Sequence, residues 1–257
     1  MHRELALHTE QFTLRSYETD PHGRMSMVTL CNYFQEIGFN HAERLFNSLP
    51  ADEVEQYAYV LTRLHVIMEN PVCRKDTISI TSWLLPMTGR FAIRNFRVYD
   101  SSGNTVARGI NSALFFDLNE RRPVPIPENA KAIPVKDCMA IHDDFSPLPR
   151  PERNDCETEF TVRYNDIDTY RHVNNVRYIE WAVETLPFEI RNNCFLEEME
   201  INFRAETGFG DVLRSSAEIN RDDAAITCHH CITRTDNGNE AAVLRTRWKA
   251  LCGTIRD

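Results

Sequence analysis

Ten residues, DIDTYRHVNN from Asp166 to Asn175, gather two carboxylates, a phenol, an imidazole and two carboxamides. They stand directly ahead of VRYIEWAVETL, a run with the apolar spacing of an amphipathic helix. A carboxylate can take a proton from water or attack an electrophile itself, and an imidazole can hydrogen-bond the reacting group. Unpaired N–H groups at a helix start can stabilise an oxyanion. Asp168 and His172 are therefore candidates for acid–base chemistry at a helix mouth. Plainer roles compete for the neighbours. Asparagine is a favoured N-cap, so Asn174 or Asn175 fits a capping role, and Asp166 fits a turn in which its side chain is a local acceptor.

The elements that must position these groups occur twice. FTLRSYETDPHGRMSMVTLCNYF, from Phe12, aligns without gaps on FTVRYNDIDTYRHVNNVRYIEWA, from Phe160. Phe12, Thr13, Arg15, Asp20 and Val28 match Phe160, Thr161, Arg163, Asp168 and Val176. Each copy opens with a strand pattern, turns through a polar segment and enters a helix. Leu30, Tyr33, Phe34 and Ile37 form one apolar stripe; Val176, Ile179, Val183 and Leu186 form the other. Strand patterns follow each helix. MEINFRAE alternates strictly, and hairpins are expected at Gly103-Asn104 and Gly238-Asn239. A helix against an antiparallel sheet, repeated, is an α+β architecture. Seven of the twelve prolines lie between Pro123 and Pro151, so this stretch is expected to be an extended linker. The expected division is a first domain at 1–120, a linker at 121–151 and a second domain at 152–257.

Composition narrows the partners. At 257 residues, 42% hydrophobic, 26% charged and net charge −9, the chain reads as an acidic soluble protein. That charge disfavours nucleic acid or an anionic membrane as the main partner. No run approaches the ~18 apolar residues of a transmembrane helix. MHRELALHTEQF does not resemble an export signal, so the eight cysteines are expected as reduced thiols in the cytoplasm. CHHC, Cys228 to Cys231, is half of a zinc pattern with no second half, and in a strand its two cysteines face opposite ways; no metal is expected. A G-x-S-x-G elbow and a glycine-rich phosphate loop are both lacking in the sequence.

DIDTYRHVNNVRYIEW resembles the signature of acyl-acyl-carrier-protein thioesterases, of the type DLDxNxHVNNxxYI. EINFRAETGFGDVL, from Glu200, resembles that family's second segment, where EYRREC precedes a glycine. The resemblance covers nearly the whole chain and is more specific in the second half. It implies a tandem double hotdog fold, two long helices each wrapped by an antiparallel sheet. It also implies hydrolysis of the thioester between a fatty acyl chain and the phosphopantetheine arm of acyl carrier protein, without a cofactor.

Carried over position by position, the resemblance puts the catalytic groups at Asp168, His172 and Glu206. Asp166, Tyr170, Asn174, Asn175 and Thr207 are the expected substrate-binding neighbours. Asp166 also stands where single-hotdog thioesterases would place their aspartate, six residues before His172. Two positions depart from the pattern: Tyr170 replaces asparagine and Thr207 replaces cysteine. A cysteine nucleophile is therefore excluded, which favours a carboxylate-centred mechanism or a changed activity. Acyl-CoA hydrolysis and acyl-thioester binding without turnover are the alternatives. Strict alternation puts Glu206 on the solvent side of its strand, so a bulge near Thr207-Gly208 or an inward polar face is needed to bring it to the site. The first copy has Arg24, Ser26 and Met27 opposite His172, Asn174 and Asn175, so it is expected to form the acyl cavity, with Phe34, Ile37 and Phe39 as wall residues. An acidic carrier protein would need a basic patch; Arg204, Arg214, Arg245, Arg247 and Lys249 offer one, or else a solvated sheet face. A homodimer is an open assembly.

Overall fold

Alternating apolar and polar residues build the strands expected after each helix in the computed structural model, which describes residues 5–46, 57–87, 89–131, 133–222 and 224–251. The backbone divides into two units, Met1–Asp144 and Phe145–Asp257.

In the first unit β1 (His8–Thr13) leads to α1 (Met27–Phe46), then β2 (Tyr57–Met68), β3 (Thr77–Leu84), β4 (Phe91–Tyr99) and β5 (Thr105–Asp117). The strands are antiparallel in the order β1-β3-β4-β5-β2. Leu30, Tyr33, Phe34 and Ile37 are all buried, as the helical stripe requires. Phe34 stacks on Phe96 at 4.3 Å and covers Gly109, where a Cβ would lie 2.4 Å from the ring. Phe39 is 56% exposed and so is not a wall of this interior. The β4–β5 hairpin turns at Gly103 (φ 83°), with Asp100 Oδ1 accepting the Ser102 and Asn104 N–H groups.

The second unit repeats the plan. It comprises β7 (Cys156–Thr161), a 3-10 turn (Tyr164–Asp166), a helix, then β8 (Cys194–Phe203), β9 (Val212–Arg221), β10 (Ile226–Arg234) and β11 (Glu240–Ala250). Its antiparallel order, β7-β9-β10-β11-β8, matches the first unit strand for strand. The helix matches the expected run to within one residue, and at 11 residues it is shorter than the 20-residue α1. Pro187 ends it, since proline lacks the N–H a continuing helix needs. The result is two pieces, which we number after the short helix α2 (Glu128–Lys131) as α3 (Asn175–Thr185) and α4 (Phe188–Asn193). Val176, Tyr178, Ile179, Trp181, Ala182 and Thr185 form the buried face of α3.

The proline-rich segment is not a free linker over most of its length. Arg122–Pro123 (β6) pairs with β5, and Ile126, Ala130 and Ile133 pack with Leu45, Leu84, Met87, Ala92 and Phe115. Further along, Trp83 Nε1 donates to Cys138 O (2.6 Å), Asn95 Oδ1 accepts from Ala140 N (2.8 Å), and His65 Nδ1 meets Asp143 Oδ2 (2.9 Å). The prolines exclude long helix and central strand, but the apolar residues between them still gain by burial.

Candidate active site

The turn that carries Asp168 and His172 is built on backbone bonds. Asp168 N donates to His172 O (2.8 Å), Arg171 N to Asp168 O (3.0 Å), and Ile167 bridges Val173. Asp168 Oδ1 accepts the Tyr170 N–H (2.9 Å) and lies 3.4 Å from His172 N. Such an Asx turn is a local use of a carboxylate. Arg171 closes it with φ 68°, a left-handed conformation unusual for arginine.

The first unit makes the same turn. Asp20 N donates to Arg24 O (2.7 Å), Gly23 N to Asp20 O (2.9 Å), and Asp20 Oδ1 accepts from His22 and Arg24 N–H groups (both 2.9 Å). There the second carboxylate oxygen is occupied as well: Arg24 Nε and Nη2 lie 2.9 and 2.6 Å from Asp20 Oδ2. In the second unit His172 stands in place of Arg24. Its ring turns to Glu206, with Nε2 3.3 Å from Oε2, and no described residue hydrogen-bonds Asp168 Oδ2. The exchange leaves a carboxylate oxygen open beside an imidazole–carboxylate pair. The imidazole and the Glu206 side chain are 48% and 62% exposed, so the pair meets solvent.

Glu206 reaches this point from beyond the end of β8. The Arg204 and Ala205 N–H groups both donate to Ala241 O (2.9 and 3.3 Å), a bulge-like irregularity that breaks the strand's alternation three residues earlier than the sequence suggested. Glu206 stays on the exposed side and His172 meets it there. Thr207 then turns inward. Its carbonyl accepts the Val173 N–H (3.1 Å), and its hydroxyl bonds Tyr178 Oη (2.6 Å) beneath the surface. Thr207 and Tyr178 are 2% and 3% exposed. Burial is the main cause that raises the Tyr178 pKa, with the Glu206 and Asp211 charges adding to it against the lowering effect of the Thr207 bonds.

The remaining expected site residues separate. Asn174 is the N-cap of α3, its Oδ1 accepting from Val176 N (3.0 Å). Arg177 N is taken by Asn174 O (2.9 Å). The expected set of converging first-turn amides thus narrows to Asn175, the first residue of α3, whose N–H has no described partner. Asp166 is not placed to bind substrate. It is 1% exposed, Oδ2 accepts from Arg163 N (2.8 Å) and Nε (3.2 Å), and Arg177 Nε lies 3.6 Å from Oδ1. Its carboxylate holds the loop. Thr207 is likewise too buried to touch substrate, whereas Tyr170 is 65% exposed at the loop tip. Tyr178 lies outside the apolar stripe expected for its helix, Val176, Ile179, Val183 and Leu186. The signal was a tyrosine aligned with Leu30, a polar handle where the first copy has a stripe residue.

Two other sequence features resolve simply. Cys228 and His230 are buried in β10 and Cys231 faces the other side. Burial lowers the His230 pKa to about 3, and its Nε2 hydrogen-bonds Thr246 Oγ1 (2.8 Å). Three of the expected docking cations are already paired: Arg214 with Glu159 (2.9 Å), Arg247 with Glu197 (2.7 Å), and Arg245 with Glu198 (2.8 Å) and Glu200. Arg204 and Lys249 make no ion pair with a described residue.

Comparison with known proteins follows this division. Residues 6–133 match the acyl-ACP thioesterase N-terminal domain and residues 150–250 the acyl-ACP thioesterase C-terminal domain. The chain belongs to the acyl-ACP thioesterase family. Among curated members, a chloroplastic dodecanoyl-[acyl-carrier-protein] hydrolase of Cinnamomum camphora is 26% identical over 93% of this chain and 66% of its own length. A chloroplastic palmitoyl-acyl carrier protein thioesterase of Arabidopsis thaliana is 26% identical over 94% and 63%. The chain therefore spans slightly less than two thirds of these relatives. The fold is the acyl-ACP thioesterase hotdog. The 12:0-ACP thioesterase of Umbellularia californica superposes with a TM-score of 0.84 over 96% of this chain and 95% of that one, at 24% identity. An acyl-ACP thioesterase of Bacteroides thetaiotaomicron gives 0.83 over 97% and 100%, at 23%.

Proposed function

We propose that the protein hydrolyses fatty acyl-acyl-carrier-protein, releasing free fatty acid and the carrier's phosphopantetheine thiol. The observation that carries the mechanism is the open Asp168 Oδ2 on the same turn as His172, whose ring pairs with Glu206. Asp168 takes a proton as water attacks the thioester carbonyl, and the Asn175 N–H stabilises the oxyanion. The C–S bond then breaks, and the thiolate takes a proton from His172, which Glu206 orients. Family membership supports the substrate class, as do the names of the curated relatives. The Tyr170 and Thr207 departures remove no group that this mechanism uses. The seven described cysteines are free thiols, which supports work in a reducing cytoplasm.

The test measures fatty acid release from a chain-length series of acyl-ACP and matched acyl-CoA, for wild type, Asp168→Asn, His172→Ala and Glu206→Gln. Turnover on acyl-ACP that exceeds turnover on acyl-CoA and collapses in the variants is expected. A purified protein that turns over neither series, or keeps its acyl thioester intact, overturns the proposal.

A further inference from the structure

We infer that Tyr178 and Thr207 form a buried latch that sets the spacing of His172 and Glu206, so that both are positioning residues for the hydrolysis proposed above. The inference rests on that reading of the site.

His172 and Glu206 come from separate stretches of chain, and each is followed at once by a member of the latch system. Val173, next to His172, gives its N–H to the carbonyl of Thr207, next to Glu206 (3.1 Å). That bond ties the stretches together but leaves the Thr207 side chain free to choose its rotamer. The Tyr178 Oη–Thr207 Oγ1 bond (2.6 Å) makes the choice and anchors it to the first turn of α3, whose N-cap is Asn174. The three elements of the site are thereby locked to one another by two bonds on a single residue.

The first unit supplies the comparison. Its Met25 N donates to Val72 O (2.7 Å), the counterpart of the Val173–Thr207 bond. The positions of Tyr178 and Thr207 are filled there by Leu30 and Val72, both buried, at 0% and 3% exposure. Opposite Glu206 stands Pro71, and opposite His172 stands Arg24. The fold thus keeps the backbone bond and places two buried apolar side chains at these positions where no imidazole–carboxylate pair is present. A satisfied buried hydrogen bond is roughly neutral against an apolar pair of the same shape, so stability alone does not call for two hydroxyls here. A hydrogen bond adds direction, which an aliphatic contact lacks. Neither hydroxyl is accessible to substrate, and the Thr207 hydroxyl is not a nucleophile in place of the family's cysteine.

The experiment is a double-variant cycle in the whole protein: Tyr178→Phe, Thr207→Val, the two combined, and Thr207→Ser. Thermal midpoint and steady-state acyl-ACP hydrolysis are measured on each, and crystal structures are determined for the wild type and the combined variant. Each single removal orphans a buried hydroxyl, so both midpoint and kcat fall. In the combined variant the midpoint recovers while kcat remains roughly tenfold to a hundredfold down with KM little changed, since misplacing reacting groups by about 1 Å costs about that much. Thr207→Ser, which keeps the hydroxyl, retains kcat. The His172 Nε2–Glu206 Oε2 distance, 3.3 Å with the latch in place, widens in the combined variant. Recovery of kcat together with the midpoint, or an unchanged distance, overturns the latch. Loss of hydrolysis in His172→Ala and Glu206→Gln beside a fully active combined variant would sink the latch and leave the proposed function standing. An inactive wild type would sink that function and leave the distance to decide the latch.

Discussion

Asp168→Asn separates the two duties of one carboxylate. Oδ1 anchors the turn by accepting the Tyr170 N–H at 2.9 Å, and Oδ2 is the oxygen proposed to take a proton from water. Asparagine keeps an oxygen for the first duty and cannot perform the second. The stability cost is the difference between a charge-assisted and a neutral hydrogen bond, about 1 kcal/mol. The kinetic cost is the worth of a general base, about 10²- to 10⁴-fold in kcat, or about 3–5 kcal/mol of activation free energy. Asp20→Asn is the control, because Asp20 makes the same turn and in addition pairs with Arg24 at 2.6 Å, with side chains only 23% and 10% exposed. Losing that pair costs about 2–3 kcal/mol, with no effect on turnover per folded molecule. The assay is initial-rate acyl-ACP hydrolysis at saturating substrate, beside thermal unfolding, where about 2–4 °C corresponds to each kcal/mol. Asp20→Asn should therefore melt lower than Asp168→Asn yet turn over faster by orders of magnitude. Near-wild-type kcat in Asp168→Asn would refute the reasoning, reducing Asp168 to a turn residue and leaving Glu206 as the working acid.

Other perturbations test the scaffold. Gly109→Ala puts a Cβ 2.4 Å from a Phe34 ring held against Phe96, and overpacking of this kind costs about 1–3 kcal/mol; denaturant titration should show it, with partial recovery when Phe34→Leu is added. Asp166→Ala removes the acceptor for the Arg163 N–H and the partner of two guanidinium groups, so a loss of about 1–3 kcal/mol by the same titration is expected. His230 is neutral when folded, its pKa lowered by burial to about 3, while in the unfolded chain it titrates near 6.5. Below about pH 6.5 the unfolded chain binds a proton that the folded protein rejects, so stability falls with pH until pH nears 3. Between pH 7 and 5 this contributes a loss of about 2 kcal/mol, which His230→Gln should abolish in urea unfolding at the two values.

Much of this architecture was legible in the chain because duplication and period reinforce each other. Phe12–Val28 against Phe160–Val176 sets the register of the copies, and alternation and the hairpin glycines locate β4, β5, β8, β10 and β11, whereas β2, β3 and β9 are covered only by the general expectation of strands after each helix. Two things were misread for physical reasons. Proline density predicted a linker, but backbone chemistry says only what a segment cannot form. Ile126, Ala130 and Ile133 find an apolar surface and bury on it. Alternation puts Glu206 on the exposed side, and it is exposed, but not by alternation: β8 ends at Phe203, Arg204, Ala205 and Glu206 are all exposed, and no inward turn is needed to reach His172. His172, from a turn, had the freedom to meet it. Tyr178 is not legible as a site residue because it falls outside the expected stripe, and periodicity is blind to where a hydroxyl finds a partner.

Comparing the two copies isolates what the chemistry adds to the fold. Both need the aspartate turn, the capped helix and the carbonyl clamp, and both have them. The first completes the turn with Arg24, which satisfies Asp20 and closes the matter electrostatically. The second gives up that cation for an imidazole, replaces Pro71 with a glutamate, and accepts a left-handed arginine where the first has Gly23 (φ 76°). A left-handed non-glycine residue costs roughly 1 kcal/mol or more, and an incompletely paired carboxylate forfeits a charge-assisted contact. The loss of the cation and the left-handed arginine make the second turn less stable than the first while a proton-accepting oxygen is exposed beside a proton donor. Local destabilisation at matching positions, with the stable version retained in the same chain, is the pattern expected where a group is held for reaction and not for folding.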